Sequence, residues 1–146
     1  MAEVSLEWRE FAEFSAAELY ELLRFRQAVF IVEQNCAYED LDGWDVAARH
    51  LLARRDGTLV GCLRLYRGGD RVRIGRVAVA PAARGAGLAR RMMRLALAEA
   101  AGAPVAISAQ TYLRRFYESL GFAAVSAEYD DAGLRHIDMA LSARAE

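Results

Sequence analysis

Val77-Ala78-Val79-Ala80-Pro81-Ala82-Ala83-Arg84-Gly85-Ala86-Gly87-Leu88-Ala89-Arg90-Arg91 is the stretch that decides the fold. An alternating apolar run stops at Pro81, small residues follow, and a helix is expected from about Gly87. Leu88, Met92, Leu95, Ala96 and Glu99 keep helical spacing to Ala101, and Gly102 closes the helix. A strand that feeds a glycine-rich turn and then a helix gathers unpaired backbone N–H groups and the positive end of a helix dipole at one point. Such a point binds a phosphate or pyrophosphate. Gly85 and Gly87 let the backbone approach the oxygens, and Arg84, Arg90 and Arg91 add positive charge nearby. Arg84 could instead orient the loop through its own hydrogen bonds. The alternative is a tight turn that needs glycine for geometry alone. A dinucleotide fingerprint requires a third glycine where Arg90 stands, and an acidic residue about twenty positions on. Both are missing, which argues against a nicotinamide cofactor.

Outward from this stretch, the chain divides into regular elements. Leu6 to Phe11 reads as an opening strand. Ser15 and Glu18 have capping-box spacing, and Leu19, Leu22, Leu23, Arg26 and Phe30 follow helical spacing towards Gln34. Asn35 to Asp45 is a polar loop with Glu39, Asp40, Asp42 and Asp45. His50 to Arg55 and Thr58 to Arg67 flank Asp56-Gly57, a hairpin signal. After Gly68-Gly69-Asp70, Arg71 to Val79 forms a further strand. Pro104 to Ala109 is a short buried strand, and Thr111 to Leu120 a helix stopped by Gly121. Phe122 to Tyr129 and Leu134 to Leu141 pair as a hairpin across Asp130-Asp131-Ala132-Gly133. Strands joined by hairpins are antiparallel, and the crossover through the Gly87 helix makes one pair parallel. The result is a mixed sheet with helices packed on it, in the α/β or α+β class.

Composition narrows the function. A chain of 146 residues fits one domain, 1–146, and buries roughly two-thirds of its unfolded surface without disulfide or metal. The net charge of -1 disfavours a nucleic-acid partner, and no apolar run is long enough to span a membrane. Met1 to Phe11 carries Glu3, Glu7, Arg9 and Glu10, which does not fit a signal peptide, so a cytoplasmic location with Cys36 and Cys62 as free thiols is expected. All 19 basic residues are arginine. Without lysine there is neither a Walker-type phosphate loop nor a pyridoxal Schiff base. His50 and His136 stand apart from any Cys/His cluster, so no metal site is expected.

Three spaced blocks carry a resemblance. Arg84-x-x-Gly87-x-Ala89 is similar to the acyl-CoA pattern of the GNAT (Gcn5-related N-acetyltransferase) family. Val77 to Pro81 resembles that family's fourth strand, and Phe116-Tyr117-Glu118-Ser119-Leu120-Gly121-Phe122 its last helix and exit. Arg26 to Phe30, Val32 to Asn35, the Asp40/Asp42 loop, Arg49-His50 and Gly133 to Met139 resemble the ElaA-type subgroup, so the likeness covers nearly the whole chain. It implies the GNAT acyl-CoA N-acyltransferase fold: a central mixed sheet of about seven strands flanked by about four helices, with the fourth and fifth strands splayed. It also implies acetyl-CoA as co-substrate, with the pantetheine arm paired to Val77, Ala78 and Val79. Amides from Gly85 through Ala86, Gly87, Leu88 and Ala89 would hold the pyrophosphate beside Arg84 and Arg90. Many relatives carry Asn and Ala where Gln110 and Leu113 stand, although Gln110 can still bond a pantetheine amide.

The implied reaction moves an acetyl group to a primary amine of a small molecule or protein. The Val79 N–H would polarise the thioester carbonyl. Tyr117 would protonate the leaving thiolate, and Glu33 and His50 are the candidate bases. Each of the three also has a purely structural reading: a core aromatic, a helix-end carboxylate and a strand histidine. Phe30, Gln34, Asp40, Asp42, Arg64 and His136 could line the acceptor side, where acids would suit a cationic amine. A homodimer is compatible with this reading. The alternatives are a non-catalytic acyl-CoA sensor of the same fold, and a nucleotide-dependent oxidoreductase.

Overall fold

In the computed structural model, residues 3–144 are described. The first two and last two positions of the expected 1–146 domain lie outside the described residues. Eight strands form one sheet in the order β1-β2-β3-β4-β5-β8-β6, with β7 also paired to β8. They are β1 (Val4–Glu10), β2 (Arg49–Arg55), β3 (Thr58–Gly68), β4 (Arg71–Val79), β5 (Val105–Gln110), β6 (Ala123–Ala124), β7 (Tyr129–Asp131) and β8 (Leu134–Leu141). The helices are α1 (Ala16–Arg26), which continues as a π-helical segment (Gln27–Glu33), α2 (Leu88–Glu99) and α3 (Arg114–Glu118). No helix among the described residues is long and apolar enough to cross a membrane.

The central strands are buried on both faces, as strands covered by helices on either side must be. Leu51, Ala53, Leu63 and Leu65 share one face with Leu88, Met92, Met93 and Ala96 of α2. Leu52, Leu59 and Cys62 share the other with Leu22 of α1 and Val29 of the π-helical segment. Each fully buried Leu or Met contributes about 1.5–3 kcal/mol. Packing of α2 on β3 is close at Gly61, where a Cβ would stand 3.2 Å from Leu88 Cδ2 and from Met92. The Ser15–Glu18 capping box is present, with Glu18 N donating to Ser15 Oγ at 3.1 Å and Ser15 N to Glu18 Oε1 at 3.0 Å. Asp56-Gly57 and Ala132-Gly133 both take positive φ at both positions, the signature of a two-residue hairpin turn.

Two features position the site. First, β4 and β5 are parallel but paired only at Val72↔Val105 and Arg73↔Ala106. Beyond those pairs the strands part. Second, β4 carries a bulge. Cys62 pairs with Ala78 and Arg64 with Gly75, which leaves one extra residue on β4, and Arg76 adopts φ +51°. The apolar alternation Val72, Ile74 slips by one to Val77, Val79 at this point.

Eight strands stand where about seven are expected. The strand expected over Phe122 to Tyr129 breaks into β6 and β7. Ser126 Oγ accepts from Asp138 N at 3.0 Å, in place of a backbone carbonyl, and interrupts the ladder. The expected helix over Thr111 to Leu120 begins as a 3-10 turn at Thr111–Leu113 before α3.

Candidate active site

The parted strands open onto two cavities. The larger, about 660 Å³, runs over the outer end of β4 to the start of α2. The smaller, about 350 Å³, lies between Ile74–Val77 of β4 and Ile107–Gln110 of β5 and is closed by the acidic loop and the β7–β8 hairpin. Phe30, Gln34, Val77, Gln110, Leu113 and Tyr117 line both and form the boundary between them.

At the larger cavity, Gly85 and Gly87 take φ +87° and +80°, and a Cβ on either would meet nothing within 4 Å. Glycine is thus required here by backbone conformation, and the space in front of the turn is open. The first bond of α2 runs from Arg91 N to Gly87 O at 3.1 Å, so the amides of Leu88, Ala89 and Arg90 have no acceptor within the helix. No side chain caps this end. The turn therefore presents donors to an open cradle, which fits a pyrophosphate. Gly85, Gly87, Leu88, Ala89 and Arg90 line the cavity, while Ala86 sits at the exposed tip of the turn, off its wall. Arg90 is held by Ser119 Oγ at 3.0 Å and lies over the Phe116 ring.

Arg84 does orient the loop. It bonds the Glu33 carboxylate through both terminal nitrogens, at 2.6 and 2.8 Å, and donates Nε to the Val79 carbonyl at 3.0 Å. Those hydrogen bonds hold the Glu33 carboxyl below its usual range.

The β4 peptide groups do not all face the gap. Ala80 N donates to Val60 O at 2.8 Å. In an antiparallel ladder this makes Ala78 the hydrogen-bonded partner of Cys62 and turns the N–H and C=O of Val79 away from β3. The pairing expected for Val77, Ala78 and Val79 together is therefore corrected: Ala78 is turned to β3, and the Val79 carbonyl already accepts from Arg84.

Tyr117 is 7% exposed and packs edge-on against Phe116 and Phe122. Burial pushes its pKa up to about 12. Its hydroxyl makes no hydrogen bond among the described residues. Gln110 Nε2 donates to Gln34 Oε1 at 3.1 Å, which ties β5 to the end of the π-helical segment. π-helical turns often occur at functional sites, and this one carries Phe30 and Glu33 to the cavities while burying Val29.

Besides Ala86, three expected residues, His50, Arg64 and Asp40, line neither cavity. His50 is 1% exposed, sets its Nε2 2.9 Å from the Asp45 carbonyl and packs edge-on against Phe14. Burial pushes its imidazole towards the neutral form. Arg64 is 3% exposed and bonds Asp42 at 2.6 and 2.8 Å and Asp45 at 3.1 Å. With Arg26 on Asp40 and Asp45, and Arg76 on Asp40 and Asp42, it forms a network that anchors the acidic loop. Burial opposes charge on Asp42, but bonds from Arg64 and the Trp44 amide outweigh it and lower its pKa to about 2. Asp42 and His136 do line the smaller cavity, with Arg76 and Asp131, which the sequence reading did not single out. The slipped alternation at Arg76 is the signal that could have found it.

The Acetyltransferase (GNAT) domain model matches residues 12–143. Protein ElaA of Escherichia coli (strain K12) is 38% identical over 146 residues, which cover 92% of this chain and 95% of that protein. The crystal structure of Escherichia coli ElaA superposes with a TM-score of 0.90 at 37% identity, over 96% of this chain and all of that one (100%). An acyl-CoA N-acyltransferase from Pseudomonas aeruginosa superposes with a TM-score of 0.91 at 38% identity and the same coverage, 96% and 100%. The UPF0039 protein Rv2851c of Mycobacterium tuberculosis (strain ATCC 25618 / H37Rv) is 42% identical over 134 residues, 87% of this chain and 86% of that protein. Matched to such relatives along almost their full length, the chain belongs to the GNAT acyltransferase family, in its ElaA-type subgroup.

Proposed function

We propose that this chain is an acetyl-CoA-dependent N-acyltransferase that acetylates a small primary amine. The observation that carries the reading is the boundary shared by the two cavities. There the gap between β4 and β5 meets the Tyr117 hydroxyl, which makes no hydrogen bond among the described residues. Acetyl-CoA lies with its pyrophosphate on the free amides at the start of α2 and its pantetheine arm along Val77 and Val79. The thioester then reaches the boundary, where the Val79 N–H faces the carbonyl oxygen and steadies the negative charge that builds there on attack. The raised pKa of Tyr117 keeps its hydroxyl protonated, so it can donate to the sulfur as the C–S bond breaks. The acceptor enters the smaller cavity. Its modest, walled volume suits a small molecule better than a folded protein surface. The Asp131 carboxylate, which has no ion-pair partner among the described residues, suits a cationic amine.

The non-catalytic sensor reading would leave the placement of Tyr117 without a use. Purified protein is titrated with acetyl-CoA and with NAD. It is then incubated with acetyl-CoA and one of four amines, tyramine, spermidine, lysine or n-butylamine, and free thiol is measured. The expected outcome is selective acetyl-CoA binding and amine-dependent thiol release. Binding without release for every amine would favour the sensor. NAD binding in place of acetyl-CoA would remove the acyl-transfer reading.

A further inference from the structure

An attacking amine must shed a proton, and neither base expected from the sequence is placed to take it. His50 is sealed outside both cavities, and the Glu33 carboxylate is clamped by Arg84. The chain has two histidines, and the other lies in the acceptor cavity. His136 stands on β8 opposite Gln110 of β5 and Tyr129 of β7. Its Nδ1 is 2.9 Å from the Leu134 carbonyl oxygen. A carbonyl oxygen can only accept, so Nδ1 carries the proton and the neutral ring has its lone pair on Nε2. The Tyr129 ring stacks on the imidazole at 6.0 Å and 22°, and the Tyr129 hydroxyl is fixed by Asp138 at 2.5 Å. Tautomer and ring orientation are thus both set by the protein. Among the described residues Nε2 makes no hydrogen bond, so the lone pair is free for a guest in the cavity.

We propose that His136 is the general base of the reaction. The inference rests on the acyl-transfer reading and adds the group that reading lacks. As the amine nitrogen bonds to the thioester carbon, the carbonyl π pair moves onto oxygen and Nε2 takes the proton from nitrogen. The pair on oxygen then re-forms the carbonyl, the C–S bond breaks, and the Tyr117 hydroxyl protonates the sulfur. Solvent carries the proton from His136 to Tyr117 before the next turnover. Amine and thioester have become amide and thiol, with both side chains restored. Arg76 of β4, Tyr117 of α3 and Asp131 of β7 line its cavity, Tyr129 of β7 stacks on the imidazole, and Asp138 of β8 holds the Tyr129 hydroxyl. Cys36, Tyr38 and Asp42 of the loop complete the titratable lining.

The test uses the amine from the four-member panel that gives the fastest thiol release, together with His136→Asn and His136→Ala. Asparagine keeps an N–H donor for the Leu134 carbonyl but offers no base. In the asparagine variant kcat/KM for the amine is expected to fall about 100-fold or more at pH 7. The dissociation constant of acetyl-CoA should stay within about twofold, as expected for a group acting on the amine and not on the pyrophosphate. The deficit should shrink as pH rises and free amine accumulates, and added imidazole should restore part of the activity of the alanine variant. In the unaltered protein, nitrogen NMR of the neutral imidazole should show the proton on Nδ1, with His136→Asn assigning the signal. Undiminished turnover by the asparagine variant, or a neutral ring protonated on Nε2, would overturn the assignment alone. Absence of turnover by the unaltered protein with every amine would overturn the acyl-transfer reading, and this inference with it.

Discussion

Arg84 turns its guanidinium towards the protein, with Glu33 on one edge and the Val79 carbonyl on another. It sets the turn whose amides face the cofactor cavity, so its charge acts through geometry more than through attraction. An exposed pair of this kind adds only about 0–1 kcal/mol to stability. Glu33→Gln should therefore leave the melting temperature nearly unchanged while weakening acetyl-CoA severalfold in a calorimetric titration. Tyr117→Phe removes one oxygen from a packed aromatic cluster. It should lower kcat by about 100-fold or more with acetyl-CoA affinity preserved, which stopped-flow thiol detection and a binding titration would check separately. At this scale the two turn glycines were legible from the strand–turn–helix pattern, whereas Tyr117 and Gln110 were singled out only by the family resemblance, and both lie on the boundary of the two cavities. The positions of His50 and Arg64 were not legible. Arg64 is buried under Asp42 and Asp45 and His50 under Phe14 and the Asp45 carbonyl, and nothing in the spacing announces those contacts.

At the scale of elements, the turn before α2 and the loop after the π-helical segment carry the site. Gly87→Ala keeps the cradle open but forces a Cβ into a left-handed backbone, at a cost of about 1–2 kcal/mol. Gly87→Glu adds a carboxylate where the proposed diphosphate would lie. The alanine variant should lose stability in a denaturant titration yet still bind acetyl-CoA, whereas the glutamate variant should lose measurable binding. The acidic loop is fixed by Asp45, shared between Arg26, which is 1% exposed, and Arg64. Asp45→Ala leaves two buried cations short of a partner and should cost about 3–5 kcal/mol in chemical denaturation. Capping box, hairpins and the α2 start were legible as local patterns. The π-helical segment was not, because its apolar spacing from Leu22 to Phe30 reads equally well as a continued α-helix. The break between β6 and β7 was hidden as well, since it depends on Ser126 meeting Asp138 across the sheet.

For the whole molecule, the network beneath the acidic loop sets the response to acid. Asp42 titrates at about 2 in the folded chain against 3.8 for a free carboxyl. A group with a depressed folded pKa stabilises the fold above its unfolded value and loses that contribution as pH falls through its folded one. The Asp42 contribution should therefore be complete above about pH 4 and be lost from there towards pH 2. It lies below an earlier decline, from about pH 6.5, that keeping His50 neutral in the fold imposes. Asp42→Asn should flatten the lower part of the decline in a melting series. The mixed sheet and its one parallel junction were legible from the order of hairpins and crossover. The parting of β4 and β5 beyond two residue pairs was expected from the family resemblance, while the β4 bulge beside it is marked in the sequence only by the shift at Arg76.

That narrow junction means the sheet is stitched at one end and open like a clasp at the other. On the proposed reading, an extended, amide-bearing guest laid between β4 and β5 would supply the rungs the polypeptide omits, and the substrate would become a temporary strand of its own enzyme. Deuterium uptake at Val77 and Val79 should slow when acetyl-CoA is bound, while that at Val72, already tied to Pro104, should hardly change.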